Sequence, residues 1–323
     1  MPHERGASIN TLTSYRDSFV LLFRFLQEHK KLKIERFTLN QLTKDNVVEF
    51  LEWIQVERKC SDSTRNQRLA AIHSFCKYIQ YQHPENIHEL QRILSIKVKR
   101  STKPHVNYIS SDGIKLLLEQ PDPSTSKGIR DLALLSLMYD AGARVSEIID
   151  LTPSCIHFDN KNASTIRIKG KGSKIRIVPL MESQVNILKN YLMRYTLNEP
   201  RWAKYPLFSN SRREKFTRMG ITGILQKHVK TAHDISPEMI SEEVSPHSLR
   251  HSKAMAMVQA GVNLVYIRDF LGHASITTTE IYARADSTQK RKAIETAYID
   301  ILPQEEPCWV GNKSLIDFLN GYK

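Results

Sequence analysis

Two short stretches of alternating apolar and polar residues interrupt a chain whose pattern is otherwise mostly helical. They are Thr165-Ile-Arg-Ile-Lys169 and Lys174-Ile-Arg-Ile-Val178, joined by Gly170-Lys-Gly-Ser173. A two-residue period places successive side chains on opposite faces of a strand, and a short connection containing glycine joins two such strands as a hairpin. The sequence therefore predicts a fold that is mainly α with a small β-sheet, which is the α+β class.

Helical periodicity dominates the chain before the hairpin. Residues 8–95 read as one helical unit, in which Tyr15, Phe19, Leu22, Phe23 and Leu26 recur at three- and four-residue steps on one face. A second helix begins near Lys44 after the candidate cap Thr43, and a third covers about 63–80. Further helices are predicted at about 111–119, 126–141, 145–151, 182–197, 217–232, 247–259, 263–270 and 275–284.

A basic segment separates the two parts of the chain. Residues 97–104 combine four cations with a proline and small polar residues, the composition of an exposed connector. With 323 residues, the chain is long enough for two domains. We therefore predict a helical domain at 1–96, a basic linker at 97–106, a second domain at 107–300 and a C-terminal tail at 301–323.

The charge of the chain points to a polyanionic partner. Lys and Arg number 47 against 34 Asp and Glu, which leaves a net charge of +13 and makes nucleic acid the natural partner. A soluble basic protein with solvated charged faces is the simpler alternative. The candidate DNA contacts lie on the outer side of the third helix, in the linker and in the hairpin: Arg65, Arg68, Lys99, Arg100, Lys169 and Lys174.

Several classes of protein are disfavoured by the same sequence. The four cysteines are far apart and form no C-x-x-C pair, so neither a zinc ribbon nor a disulfide framework is indicated. There is no run of about 18 apolar residues and no secretory signal pattern, so we expect no membrane association and a cytoplasmic protein. The hairpin sequence Gly170-Lys-Gly-Ser-Lys174 lacks the G-K-[ST] of a phosphate-binding loop and joins two strands, so ATP binding is not supported.

The chemistry is indicated by a tyrosine that follows a group of cationic residues. Tyr282 lies nine residues after His273, and His247-Ser-Leu-Arg250 lies upstream. A phenol with a pKa of about 10 is a poor nucleophile at neutral pH, so it needs a base or a charge-stabilised transition state. Arginines and histidines around one tyrosine suit attack on a phosphodiester. His247 and His251 also have the spacing of a zinc pair, but the glutamate of H-E-x-x-H and a third ligand are missing, so no metal is expected.

Four motifs in sequence order resemble those of the tyrosine recombinase (phage integrase) family. They are Ala-Gly-Ala-Arg144-Val-Ser-Glu147, Gly-Lys171-Gly-Ser-Lys, His247-Ser-Leu-Arg250-His and Leu-Gly-His273 with Tyr282. The resemblance covers the whole second domain, and the first domain resembles the family's core-binding domain in length and helix count. It implies an N-terminal helical core-binding domain and a mixed α/β catalytic domain that form a C-shaped DNA clamp.

The resemblance also implies a role for each matched residue. Tyr282 is the nucleophile, which forms a 3′-phosphotyrosyl link and releases a 5′-hydroxyl. The matched assisting residues are Arg144 and Arg250 for the non-bridging oxygens, His273 for a further hydrogen bond, Lys171 as general acid, His247 for proton transfer and Glu147 as a supporting partner. Cationic side chains then take the place of metal ions, so no cofactor, metal or nucleotide is expected.

The resemblance implies double-stranded DNA with an inverted-repeat core site as partner, bound by a homo-tetramer, or by a hetero-tetramer with a related recombinase, on two sites. Accessory DNA-bending proteins are further partners, and the protein would be nucleoid-associated when bound to DNA. The apolar helical stripe Ala293, Ile294, Ala297, Tyr298 and Ile301 suits packing into a neighbouring protomer or back onto its own domain.

The biological role has more than one candidate. The absence of an arm-binding module resembles Xer-type and simple transposon recombinases, whereas 41 residues after Tyr282 exceed the usual Xer tail. We therefore predict integration, excision or transposition of a mobile element, with Xer-type chromosome or plasmid dimer resolution as the alternative. A type IB topoisomerase and a non-catalytic DNA-binding regulator are the less favoured readings.

Overall fold

The computed structural model describes residues 9–100, 107–159, 163–170, 172, 174–273, 275–285, 317 and 321. The chain divides into two compact units, 1–104 and 105–323. Within the described part of the chain, no helix is both long enough and apolar enough to cross a membrane.

The first unit is built from α-helices around one apolar core. Its helices are α1 Ile9–Lys30, α2 Lys44–Val56, α3 Asp62–Ile79 and α4 Ile87–Leu94, with 3-10 turns at Ile34–Arg36, Leu39–Gln41 and Pro84–Asn86. The expected cap of α2 is present, because the Thr43 side chain accepts a hydrogen bond from the Asn46 backbone N–H. Ser61 caps α3 in the same way. The short helix α4 was not predicted, although it buries Leu90 and Ile93 in the same core.

The charged face of α3 differs from the expectation. The side chain of Arg65 is not on the outer side of the helix but is buried, with 7% exposure, and its Nη1 donates to Asn66 Oδ1 at 3.2 Å and to the Lys97 carbonyl oxygen at 3.5 Å. Arg68 is half-buried, and its Nη1 donates to the Ser18 hydroxyl at 3.1 Å. The prediction of an outward-facing Arg65 is wrong, because its side chain is buried and its guanidinium donates to polar atoms of its own domain. Part of each guanidinium is thus already engaged within the first unit.

The second unit places helices around a small sheet. Its helices are α5 Ser111–Leu118, α6 Ser126–Asp140, α7 Val145–Ile149, α8 Glu182–Arg194, α9 Arg218–Ile235, α10 Pro246–Gln259, α11 Leu264–Leu271 and α12 Thr277–Ala285, with 3-10 turns at Pro153–Cys155 and Pro200–Trp202. Each helix predicted in this half of the chain is present, with ends that differ by a few residues. Helices α6 and α8 pack together at the centre of the core, where Leu134, Leu135, Leu188 and Tyr191 are fully buried.

The predicted hairpin is present as two strands of a three-stranded antiparallel sheet. The strands are β1 Ile156–His157, β2 Thr165–Lys169 and β3 Ile175–Pro179, in the order β1-β2-β3. Ile166 pairs with Val178, and Lys169 pairs with Ile175 at the hairpin end. The predicted mainly α fold with one small sheet is confirmed.

Two helical glycines with different surroundings give a test of this packing. A Cβ atom added to Gly128 in the first turn of α6 would lie 1.8 Å from the Asp122 carbonyl oxygen, whereas one added to Gly223 in α9 meets no atom of the described residues within 4 Å outside its local helix backbone. We expect Gly128→Ala to lower the free energy of unfolding by about 2 kcal/mol or more, because backbone must move. Gly223→Ala should raise it by about 0.5–1 kcal/mol through helix propensity. Urea denaturation of both variants measures this, and equal effects would contradict the Gly128 contact.

Candidate active site

The first element of the site is a buried carboxylate at the start of α7. Gly142 adopts a positive φ of 53° and turns the chain after α6, and Arg144 caps α7. Glu147 accepts a hydrogen bond from the Arg144 backbone N–H at 2.9 Å and another from Arg144 Nη1 at 2.8 Å. The Glu147 side chain is only 4% exposed, so a buried carboxylate anchors both the backbone N–H and one terminal guanidinium nitrogen of Arg144. Arg144 itself keeps 30% of its side chain exposed, which leaves part of it accessible to a ligand.

A second arginine reaches the same carboxylate from the sheet. Arg176 in β3 donates from Nη2 to Glu147 Oε2 at 2.7 Å, and its side chain is 10% exposed. Burial alone would raise the pKa of Glu147, but the hydrogen bonds and charges of Arg176 and Arg144 outweigh it and hold that pKa below its ordinary value. Glu147 is therefore an anion placed between two cations.

The position of Arg176 depends on the turn that carries His273. Gly272 has φ +65°, and a Cβ atom at this position would lie 3.1 Å from Arg176 Nη1 and 3.3 Å from its Cδ. The Arg176 side chain thus lies against the Gly272 backbone. Arg176 Nε is buried and has no hydrogen-bond partner among the described residues. The ends of β3 and α11 are in this way held together beside a cavity of about 310 Å³ that His273 also lines.

Arg250 is the most buried cation of the site. It lies on α10 with 3% exposure and donates from Nη1 to the Gly142 carbonyl oxygen at 2.5 Å and from Nη2 to the Leu271 carbonyl oxygen at 2.7 Å. Burial, and then the neighbouring Arg144, lower its pKa to about 10, so it remains charged at neutral pH. These two carbonyl contacts connect the turn before α7 with the end of α11.

Tyr282 on α12 is a fully buried phenol. Its side chain is 1% exposed and packs in an apolar cluster with Ala254, Met255, Ile267 and Leu271 from α10 and α11. Burial raises the pKa of Tyr282, and the positive charges of Arg250 and Arg144 oppose that shift. The phenol is therefore protonated at neutral pH, and attack requires its proton to leave.

The hydroxyl of Tyr282 is hydrogen-bonded to His251, a histidine that the sequence analysis did not include among the site residues. Tyr282 Oη lies 2.8 Å from His251 Nδ1, and the two ring centroids are 5.6 Å apart. His251 is half-buried, and burial followed by the effects of His247 and Arg250 lowers its pKa to about 4. A neutral imidazole that carries its proton on Nε2 has an unprotonated Nδ1, which accepts the hydrogen bond that the phenol donates.

His273 also lies beside the ring of Tyr282. Its ring is nearly parallel to that of Tyr282, at 11° with centroids 6.4 Å apart, and its Nδ1 is 2.8 Å from the Thr279 hydroxyl. Burial, and then the charges of Arg250 and Arg144, lower the pKa of His273 to about 4. With Nδ1 held by Thr279, Nε2 is the nitrogen left for a ligand.

The remaining predicted residues have different positions. His247 is exposed on α10, one turn before His251, and Lys171 lies outside the described residues. The candidate DNA contacts Lys99, Arg100, Lys169 and Lys174 are all exposed, and Lys99 Nζ donates to Gln55 Oε1 at 2.7 Å. The apolar stripe at 293–301 and the tail at 301–323 also fall on residues that the structure does not describe, apart from 317 and 321.

The structure therefore brings Arg144, Glu147, Arg250, His273 and Tyr282 into one charged site, where each cation affects the pKa of its neighbours. Such a site can bind the non-bridging oxygens of a phosphodiester and stabilise the charge that develops when a phenol attacks phosphorus. A buried phenol beside arginines and neutral imidazoles is the arrangement expected of a protein that cuts nucleic acid with a tyrosine nucleophile.

Comparisons with known proteins give the family. The model of the phage integrase family matches residues 107–289, and that of the phage integrase N-terminal SAM-like domain matches residues 1–83. The chain therefore belongs to the phage integrase family, the family of tyrosine recombinases. The predicted family is confirmed, and the chain is a site-specific DNA recombinase, as the motifs predicted.

Individual relatives agree with this assignment. A putative integrase/recombinase of Sinorhizobium fredii, y4rC, is 35% identical over 90% of this chain and 86% of its own length. Tyrosine recombinase XerD of Listeria monocytogenes is 29% identical over 86% of this chain and 89% of its own.

Solved structures share the fold at lower sequence identity. The XerH site-specific recombinase bound to its difH substrate has a TM-score of 0.68 and 22% identity, over 91% of this chain and 81% of that one. The Tn1549 transposon integrase bound to transposon right end DNA has a TM-score of 0.67 and 18% identity, over 91% of this chain and 95% of that one.

The buried position of Glu147 gives a stability prediction. Glu147→Gln removes the anion that compensates Arg144 and Arg176, so we expect the free energy of unfolding to fall by about 3 kcal/mol. Asp150→Asn is the matched control, because it breaks an exposed pair with Lys215 in which the Asp150 side chain is 69% exposed; such pairs contribute about 1 kcal/mol or less. Urea denaturation compares the two, and equal losses would contradict a central role for Glu147.

The two histidines around Tyr282 predict a pH dependence of stability. Their folded-state pKa of about 4 lies below the ordinary value of 6.5, so the unfolded chain binds more protons between these values. The free energy of unfolding should therefore fall as pH falls from 6.5 towards 4, by roughly 2 kcal/mol for each of His251 and His273. Urea denaturation across this range should show a shallower slope for His273→Asn than for wild type. Identical slopes would contradict a lowered pKa at His273.

Proposed function

We propose that this recombinase cleaves and rejoins DNA through Tyr282, which attacks the scissile phosphate to give a 3′-phosphotyrosyl link and a free 5′-hydroxyl. The observation that carries the proposal is the hydrogen-bonded phenol, buried beside His251 and His273 and subject to the charges of Arg250 and Arg144. The charges of Arg250 and Arg144 oppose the rise in the Tyr282 pKa that burial causes, and so favour loss of the phenol proton.

The surrounding residues supply the charge that the reaction needs. Arg144 has a partly exposed side chain, and Glu147 holds one of its guanidinium nitrogens, so it is oriented before the phosphate arrives. Arg250 uses two of its five N–H donors on backbone carbonyl oxygens, which hold the guanidinium in place and leave other N–H groups for the phosphate. His273 donates a further hydrogen bond to a non-bridging oxygen, in the orientation fixed by Thr279.

Proton transfer completes the reaction. Lys171, the residue that matches the family's hairpin lysine, protonates the departing 5′-oxygen, and His247 assists from the exposed side of the site. Rejoining is the reverse, in which a 5′-hydroxyl of DNA attacks the phosphotyrosine. Because the bond energy is kept in this link, neither ATP nor a metal ion is required.

The biological role that we propose is integration, excision or transposition of a mobile element, carried out by four protomers on two inverted-repeat core sites. Support comes from the 35% identity to a putative integrase/recombinase and from a shared fold with a transposon integrase. Xer-type dimer resolution is the second candidate, because relatives named XerD match most of the chain at 29–30% identity.

The chemistry is tested with suicide substrates. Nicked duplexes that carry the DNA flanking this gene, and a parallel pool with randomised arms, are incubated with the protein in chelator and run on a denaturing gel. We expect a covalent adduct with wild type and a loss of at least about 1000-fold with Tyr282→Phe, because the nucleophile is removed. Tyr195→Phe is the matched control for loss of a phenol elsewhere in the domain, where the Tyr195 hydroxyl donates to the Ser126 carbonyl oxygen. An adduct with Tyr282→Phe would contradict the assignment.

A further inference from the structure

The hydrogen bond between Tyr282 and His251 carries an inference about proton transfer that rests on the proposed function. His251 Nδ1 is 2.8 Å from Tyr282 Oη, within the distance that direct proton transfer requires. We infer that His251 is a further catalytic residue: its Nδ1 takes the proton of the Tyr282 hydroxyl while the phenol oxygen attacks the scissile phosphorus.

His247 is the competing candidate on the same helix. It lies four residues earlier, one turn away, and its ring centroid is 6.4 Å from that of His251. Its ring is exposed, whereas the Tyr282 side chain is 1% exposed. Among the described residues, the structure shows no hydrogen bond from His247 to Tyr282. The buried hydroxyl therefore reaches His251 directly, whereas His247 is exposed to solvent.

The surroundings keep His251 available as an acceptor. The groups that face its ring are His247 and Arg250 on its own helix and His273 and Tyr282 from the elements packed against it. Burial, followed by the effects of His247 and Arg250, lowers the pKa of His251 to about 4, so the ring is neutral at neutral pH and Nδ1 can accept the hydrogen bond of the phenol. The pKa of Tyr282 is raised by burial, so the proton stays on the phenol at rest. The proton moves from Tyr282 to His251 as the phenol oxygen attacks phosphorus. At that point the phenol oxygen loses electron density and becomes more acidic, and the negative charge of the bound phosphate stabilises a protonated imidazole.

The step balances in both directions. In cleavage, the Oη–H bond breaks and the proton moves to Nδ1, the Oη–P bond forms, and the bond from phosphorus to the 5′-oxygen breaks with that oxygen protonated by the general acid. In rejoining, the 5′-hydroxyl attacks, the Oη–P bond breaks, and the phenol oxygen recovers its proton from Nδ1 of the His251 imidazolium. His251 is thus neutral before cleavage and neutral again after rejoining.

A purely positioning role makes a different prediction for a near-isosteric change. In His251→Asn, the amide oxygen lies near the place of Nδ1, so it can still accept a hydrogen bond from Tyr282, but it cannot hold the proton. If His251 only holds the phenol in place, this variant keeps its cleavage rate. If His251 accepts the proton, cleavage slows by about 100-fold or more, the usual contribution of a general base.

The experiment combines these variants with a more acidic nucleophile. Full-length wild type, His251→Asn, His251→Gln and His247→Asn are prepared with tyrosine and, separately, with fluorinated tyrosine at position 282. The measured quantity is the rate of adduct formation on the nicked duplexes described above. A fluorinated phenol needs less help to lose its proton, so we expect the ratio of wild-type to His251→Asn rates to shrink at least about tenfold, whereas the ratio for His247→Asn stays the same.

Each outcome decides the question. A slow His251→Asn rescued by the fluorinated phenol supports the proton transfer, and thermal unfolding checks that the variant is folded. If it is not, the fluorine dependence of His251→Gln is used, since its amide lies nearer the place of Nε2 and any defect from lost proton transfer should still shrink with the more acidic phenol. An unchanged rate for His251→Asn, a defect that fluorination does not reduce, or rescue of His247→Asn instead would overturn the role of His251 while the proposed function stands. Failure of wild type to give an adduct on either substrate would overturn the proposed function together with this step.

Discussion

The ion pairs of Glu147 are the interaction on which the rest of the site depends. Three arginines approach one small region, and like charges in partly buried surroundings repel strongly. A carboxylate with 4% exposure between Arg144 and Arg176 offsets this repulsion and fixes the start of α7 against β3. Arg250 obtains its partners differently, from two backbone carbonyl oxygens. The cations are therefore in place before any DNA phosphate binds, which reduces the reorganisation that the reaction needs.

A second constraint follows from the neutrality of the two imidazoles beside Tyr282. The pKa values of His251 and His273 both lie at about 4, so these rings add no charge at neutral pH, and among the described residues of the site the positive charge comes from Arg144, Arg176 and Arg250. In the reaction that we propose, the permanent cations would receive phosphate oxygens and the neutral imidazoles would accept or donate protons and hydrogen bonds.

The sequence predicted the fold class and the positions of most helices and strands, because these depend on local sequence patterns. The hairpin, the helices of the second unit and the Thr43 cap follow from periodicity and capping chemistry, and the order of the motifs indicated the family. Long-range pairing was not predictable in the same way. In β3, alternation alone favours burial of Ile175 and Ile177, yet these are 59% and 67% exposed and Arg176 is turned inward, because Glu147 from a distant helix compensates its charge. His251 was visible in the motif, but its pairing with a residue 31 positions later depends on how α12 packs.

The burial of Tyr282 has a consequence for how such an enzyme searches DNA. A basic recombinase contacts the phosphate backbone at many places that are not its target, since nonspecific binding depends mainly on charge. Every such contact offers a phosphodiester to which an exposed and activated phenol would be able to join. With 1% exposure, a phenol that retains its proton and a position inside an apolar cluster, Tyr282 is shielded during these encounters. For the nucleophile that we propose, this packing would lower the rate of attack at random sites and, with it, the number of accidental protein–DNA crosslinks.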